Sequence, residues 1–293
     1  MGRLIKAFFF KLSRDLTFRI ILIIGAGLAF FMTGLYLLID LGLNDLAGDN
    51  IKFLTGPNML LTSFNPVDNF GLAIPICLIT FVCLEFTQGT IRNKIIAGHS
   101  KFKIYSALLI SGLVLAFALL IVYAGLCTLL GTIFGGFDLN KPIITFTLSI
   151  SGGYVDGLYI FQTLIVAMVV YICIVSFTVF FAALFRNIGP CIPVIVLVLM
   201  MLSLGASIVN MLAEMPEEIL DVRGLVTFVK IVDPLYVISG GGVESKMLVE
   251  NDNPKTYMSY ETGAFIATII NNLVYAGLFY AGGALIFMKR DVK

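Results

Sequence analysis

The chain has 293 residues, 59% of them hydrophobic and only 13% charged, against the roughly 25% charge of a soluble domain, so a membrane protein is indicated at once. A net charge of +1 gives no field that would favour nucleic acid, and one histidine with no zinc-spaced Cys or His pair excludes a structural zinc site. The five cysteines, Cys77, Cys83, Cys127, Cys173 and Cys191, lie in or beside apolar runs and read as reduced, small apolar residues.

Residues 1–19 predict an amphipathic helix lying in the membrane interface. Leu4, Ile5, Phe8, Phe9 and Leu12 share one arc, while Arg3, Lys6, Lys11 and Arg14 occupy the rest and face anionic lipid. No A-x-A-like exit follows the first apolar run, and Lys6 breaks the myristoylation pattern after Gly2. A helix needs about 20 apolar residues to cross the hydrocarbon core, and six segments qualify: 20–39, 69–88, 104–134, 157–185, 187–213 and 262–288. Pro75 and Pro193 do not veto the spans that hold them. The fold class expected is an all-α membrane protein of six transmembrane helices in a single domain, 1–293.

Six spans put both termini on one side, and the basic residues choose the side. The ends and loops of one set carry 13 of the 19 Lys and Arg, among them Arg92, Lys94, Lys101, Lys103, Arg186, Lys289 and Arg290. That bias places both termini in the cytosol. Tyr36, Tyr105 and Tyr159 sit near span ends and are expected to form the interfacial aromatic belt of a chain without Trp. Gly25/Ala29, Gly112/Ala116 and Gly277/Ala281 offer small pairs for close helix approach. On the outer side, Pro216 to Val232 predicts a short amphipathic helix between spans five and six, with Ile219, Val222, Leu225, Val226, Val229 and Val232 on one face. Loops 40–68 and 135–156 carry no usable motif.

No chemistry of the chain's own is visible. There is no G-x-x-x-x-G-K-[ST], no H-E-x-x-H and no G-x-S-x-G, and His99 beside Ser100 has no acid to complete a triad. No catalytic residue and no metal site are expected. No Asp or Glu lies mid-span to relay protons. Uncharged polar residues within spans, Thr128, Ser203, Ser207, Asn210, Asn271 and Asn272, are candidates for a substrate path, with interhelical hydrogen bonds as the simpler role.

The remaining feature is the basic island between spans two and three, Glu85 to Lys103. It reads E-x-x-x-G-T-I-R-N-K-I-x-x-G-x-S-K-x-K-I-Y through Tyr105. This pattern resembles the junction of spans two and three in type-2 ABC exporter permeases, the membrane subunits of drug, bacteriocin and peptide-toxin exporters. The tail Phe287-Met288-Lys289-Arg290-Asp291 and Asp233-Pro234-Leu235 are similar to that family as well.

The resemblance implies a multi-pass subunit of a bacterial plasma membrane that pairs with a second copy or paralogue and with two cytosolic ATPase subunits. ATP and Mg would be bound by the ATPases, and no cofactor by this chain. Glu85, Gly89, Thr90, Ile91, Arg92, Asn93, Lys94, Ile95 and Lys101 would form the coupling helix and its surroundings. Ile91 and Ile95, four apart, would supply a shared apolar anchor, and Arg92, Lys94 or Lys101 would pair with ATPase acids. Lys6, Lys11, Arg14, Arg186 and Asn187 would make secondary cytosolic contacts. The expected cargo is an amphipathic or hydrophobic peptide or drug moving out of the cytosol. A stand-alone secondary carrier or channel is the alternative.

Overall fold

The computed structural model describes residues 10, 14, 16–47, 53–65, 73–87, 89–139, 143–146, 150–213, 223–236, 238, 243–250 and 253–290. In chain order the elements are α1 (Leu16–Ala47), α2 (Gly56–Phe64), α3 (Ala73–Thr87), α4 (Thr90–Ile96) and α5 (Lys101–Gly135). There follow β1 (Ile143–Phe146), β2 (Ile150–Val155), α6 (Gly157–Phe185), α7 (Ile188–Ala213), α8 (Arg223–Val232), β3 (Val243–Glu250), β4 (Asn253–Tyr260) and α9 (Thr262–Lys289).

Among the described residues five helices, α1, α5, α6, α7 and α9, are long and apolar enough to cross a membrane, and the chain is a multi-pass membrane protein. The second expected span, 69–88, is met by the shorter α3, of 15 residues. At about 1.5 Å per residue α3 is roughly 22 Å long, short of a 30 Å core; residues 69–72 and 88 lie outside the described residues.

Helix α6 is the centre of the bundle, packing against α3, α5, α7 and α9. Two of the small pairs serve contacts. A methyl added at Gly25 would meet Leu119 and one at Gly112 would meet Leu78 and Val175, whereas Gly277 has nothing near it. The tightest approach was not foreseen. Short α2, buried along almost its whole length, lies on the end of α5, and a Cβ at Gly135 would collide with the Leu54 carbonyl. Asp40, at the far end of α1, accepts the Phe53 and Leu54 amide N–H groups at 2.6 and 2.8 Å, which fixes the approach to α2.

The polar segments also hold a four-stranded sheet of order β1-β2-β4-β3, which adds to the helical architecture that was expected. Two antiparallel hairpins, one before α6 and one before α9, join through a short parallel pairing of Tyr154 and Val155 with Tyr257 and Met258. The aromatic belt is not formed by the tyrosines assigned to it. Tyr36, Tyr105 and Tyr159 are all buried in protein; Tyr159 stacks on Tyr260 with ring centroids 4.8 Å apart, and Tyr105 packs between Tyr280 and Phe287.

Candidate functional site

The island 85–103 folds as a helical corner. Helix α3 stops at Thr87, and Gly89, at φ 68°, makes the left-handed turn that a side chain would resist. Helix α4 follows for two turns and ends at a second left-handed glycine, Gly98, whose N–H bonds back to the Ile95 carbonyl at 2.9 Å. The chain then re-enters the bundle as α5, whose N-cap Ser100 accepts the Lys103 N–H.

Glu85 holds the corner together. Its side chain is 1% exposed, and a buried carboxylate is tolerated only when paired and hydrogen-bonded. Lys94 Nζ donates to Oε2 at 2.9 Å. Thr90 Oγ1 lies 2.7 Å from the same oxygen and 2.8 Å from the Glu85 carbonyl, so its one proton can go to either. These bonds span the α3–α4 turn and tie both turns of α4 to the end of α3.

Helix α9 joins the same corner. Lys101 Nζ donates to the carbonyls of Met288 and Arg290 at 3.1 and 3.0 Å, placing a cation on the C-terminal carbonyls of α9, where the helix dipole favours it. Arg290 in turn donates to the Leu184 carbonyl at the end of α6, at 2.6 Å. Phe86, Phe287, Tyr105 and Tyr280 form a continuous run of ring contacts, and Ser106 and Tyr280 share a 2.6 Å hydrogen bond. Gly283 leaves room for the Tyr105 hydroxyl, with which a Cβ there would collide.

The expected roles are therefore redistributed. Ile91 is not a docking anchor: at 1% exposure it is core of its own chain, because the face it shares with half-buried Ile95 turns inward. Lys94 and Lys101 spend their charge inside the subunit. The outward face of α4 carries Arg92, Asn93 and Ile96, the last 74% exposed. Of the secondary contacts, Arg186 caps α6 in the left-handed conformation at φ 59° and exposed Asn187 follows it. Arg14 lies over the Phe10 ring at 4.4 Å, while Lys6 and Lys11 lie outside the described residues.

Three of the six candidate path residues make hydrogen bonds to backbone carbonyls. Thr128 donates to the Ala124 carbonyl of its own helix. Ser203 and Ser207 lie on α7, and the Asn210 side chain is outside what the structure describes. Asn271 and Asn272 donate to the Ile231 and Pro234 carbonyls at 2.7 and 2.9 Å, fastening the end of α8 and the turn after it to α9. That turn is irregular backbone packed into the bundle, with Asp233, Leu235 and Tyr236 all buried, and the two asparagines satisfy carbonyls that lipid could not. Asp233, which lies outside the spanning helices, keeps one backbone bond, from Leu235 N–H at 2.8 Å, and burial pushes its carboxyl up to about 6.

The outer amphipathic helix is seen from Arg223 onward, and its expected single apolar face is split. Val226 and Val229 pack on the core, while Leu225, Phe228, Ile231 and Val232 are exposed. Among the described residues no cluster of His, Cys, Asp and Glu could hold a metal ion. The chain matches no protein family and no curated relative.

Proposed function

We propose that this chain is the membrane-spanning permease subunit of an ATP-driven exporter, two copies or paralogues of which pair with two separate ATPase subunits. The observation that carries this reading is the corner built on Glu85. A two-turn helix is locked to α3 and packed on α5, yet presents an outward face of Arg92, Asn93 and Ile96 that no other described residue uses. A stationary anchor needs no such rigidity. A lever does: ATP-driven closure of a docked partner becomes rocking of the spans only if the docked helix moves with them as one body. The positive-inside bias supports a cytosolic corner, and a chain without a nucleotide loop fits a reading in which a separate partner hydrolyses ATP. The apolar spans suit an amphipathic or hydrophobic cargo, a peptide or drug, moved outward across a bacterial plasma membrane.

The test uses the exposed face alone. Arg92→Glu with Ile96→Asp leaves the Glu85 clamp untouched. The wild-type chain purified from its own membranes is expected to carry a Mg-dependent ATPase, and the double variant to lose at least nine-tenths of it at unchanged thermal stability. Equal ATPase in both preparations, or none in either, sinks the proposal.

A further inference from the structure

Helices α7 and α9 each pack along α6, and α8 touches both, but α7 and α9 have no substantial contact with each other. The wedge between them holds a cavity of about 220 Å³. Ile174 and Phe177 of α6, Leu199 and Leu202 of α7 and Phe279 of α9 form its walls, and the Pro234–Leu235 turn closes one end. Asn272 is the one strongly polar side chain against it besides Tyr275; its Nδ2 is committed to the Pro234 and Thr268 carbonyls, and its Oδ1 is buried without a hydrogen-bond partner among the described residues.

One free amide oxygen in a lining otherwise almost wholly apolar holds water poorly, because a buried water needs two to four polar partners. An apolar cavity of about 150 Å³ stays dry and accepts the six carbons of benzene; by the same ratio this wedge takes roughly eight or nine. The two helices that line the wedge also carry exposed apolar residues, Leu197, Met201 and Leu204 on α7 and Leu273 and Leu278 on α9. A spanning helix turns such residues to lipid tails, where hydrocarbon is the ligand at hand and a polar headgroup is excluded by the lining.

We propose that the α6–α7–α9 wedge is a binding site for a single alkyl chain, taken from a membrane lipid or from an alkyl-bearing amphiphile. The site needs no ATPase, so its test and that of the exporter reading fail independently.

The chain has no Trp, so one introduced indole reports alone. Leu199 is 3% exposed, and Leu278, on the outer surface of α9, is 62% exposed. Leu199→Trp and Leu278→Trp are placed in nanodiscs of phosphatidylcholine with brominated or ordinary acyl chains. Bromine quenches on near contact. Alkyl occupancy of the wedge predicts quenching of the Leu199→Trp indole to within about twofold of that at Leu278→Trp. Leu235→Trp, at the closed end, gives the same reading where Leu199→Trp does not fold. A second arm adds 11-bromoundecanoate to ordinary nanodiscs. Saturable quenching there marks an exchangeable amphiphile, while quenching by brominated phospholipid alone marks a resident lipid tail. Quenching of Leu278→Trp with neither wedge indole affected in either arm overturns the proposal.

Discussion

Among the described residues two carboxylates are buried, and they are treated in opposite ways. Glu85, at the corner of α3, α4 and α5, is met by a lysine and a threonine hydroxyl. Asp233, in the turn after α8, is met by one backbone N–H. The paired acid spans two helices and a turn, so its cost of desolvation is converted into a fixed angle between them. The poorly paired acid fixes only its own turn and is left with a raised affinity for protons. Burial of a charge thus makes a rigid joint where a counter-charge is built in, and a pH-sensitive spot where it is not.

Removing the acid breaks the comparison most severely. Glu85→Ala leaves Lys94 and Thr90 facing a void at the joint and should cost about 3–5 kcal/mol, the usual penalty for breaking one side of a buried pair. Thermal unfolding in detergent measures it, and a loss below about 1 kcal/mol would mean that the clamp is ornamental. Lys94→Met is next, at about 3 kcal/mol or somewhat less, since Lys94 is 21% exposed and part of its charge is already met by water. It makes Glu85 resemble Asp233. Its cost should be greatest at neutral pH and shrink in acid, where the carboxyl that has lost its counter-charge can take a proton. A pH-independent loss would argue that packing of the lysine stem, and not its charge, matters.

These joints were only partly legible beforehand. The long helices were, because a run without charge is dictated by the bilayer: the expected 157–185 is α6 to the residue, and 262–288 differs from α9 by one. The corner was legible as a helix with a glycine on each side. Which way it faced was not, since Ile91 and Ile95 define an apolar stripe but nothing local says whether the stripe meets a partner or the chain's own core. Exposed Ile96, one residue on, reads identically in sequence. Helix α2 escaped because Gly56-Pro57-Asn58 looks like a loop, and its burial depends on Gly131 and Gly135 some eighty residues away. The sheet escaped for the same reason: its two hairpins meet only at 154–155 and 257–258, about a hundred residues apart. Non-local packing of this kind leaves no periodicity to read.

Asp233 tests the other half of the comparison. Its folded-state value of about 6 lies above the ordinary 3.8, so the fold holds the proton more tightly than the unfolded chain does. Stability from this group is therefore fully present below about pH 4 and is lost as pH rises through 6. Asp233→Asn mimics the protonated acid and keeps an oxygen for the Leu235 N–H. It should stabilise the protein by up to about 3 kcal/mol above pH 6, with no gain below pH 4. Equal unfolding temperatures for the two proteins at pH 8 would show that water reaches the carboxylate.

The smallest expected effect separates a clamp from a cap. Lys101 reaches the last carbonyls of α9 but meets no acid there among the described residues. Lys101→Met keeps the stem and removes the charge, and should cost about 0.5–1 kcal/mol, the worth of a cation at a helix C-terminus. That loss should halve in 1 M salt, because the ammonium is partly exposed to the screening ions, whereas the Glu85→Ala loss should hold. If Lys101→Met instead costs as much as Lys94→Met, the C-terminal end of α9 is a second clamp on the corner rather than a cap, and the rigid body that a partner would move extends through α9 into α6.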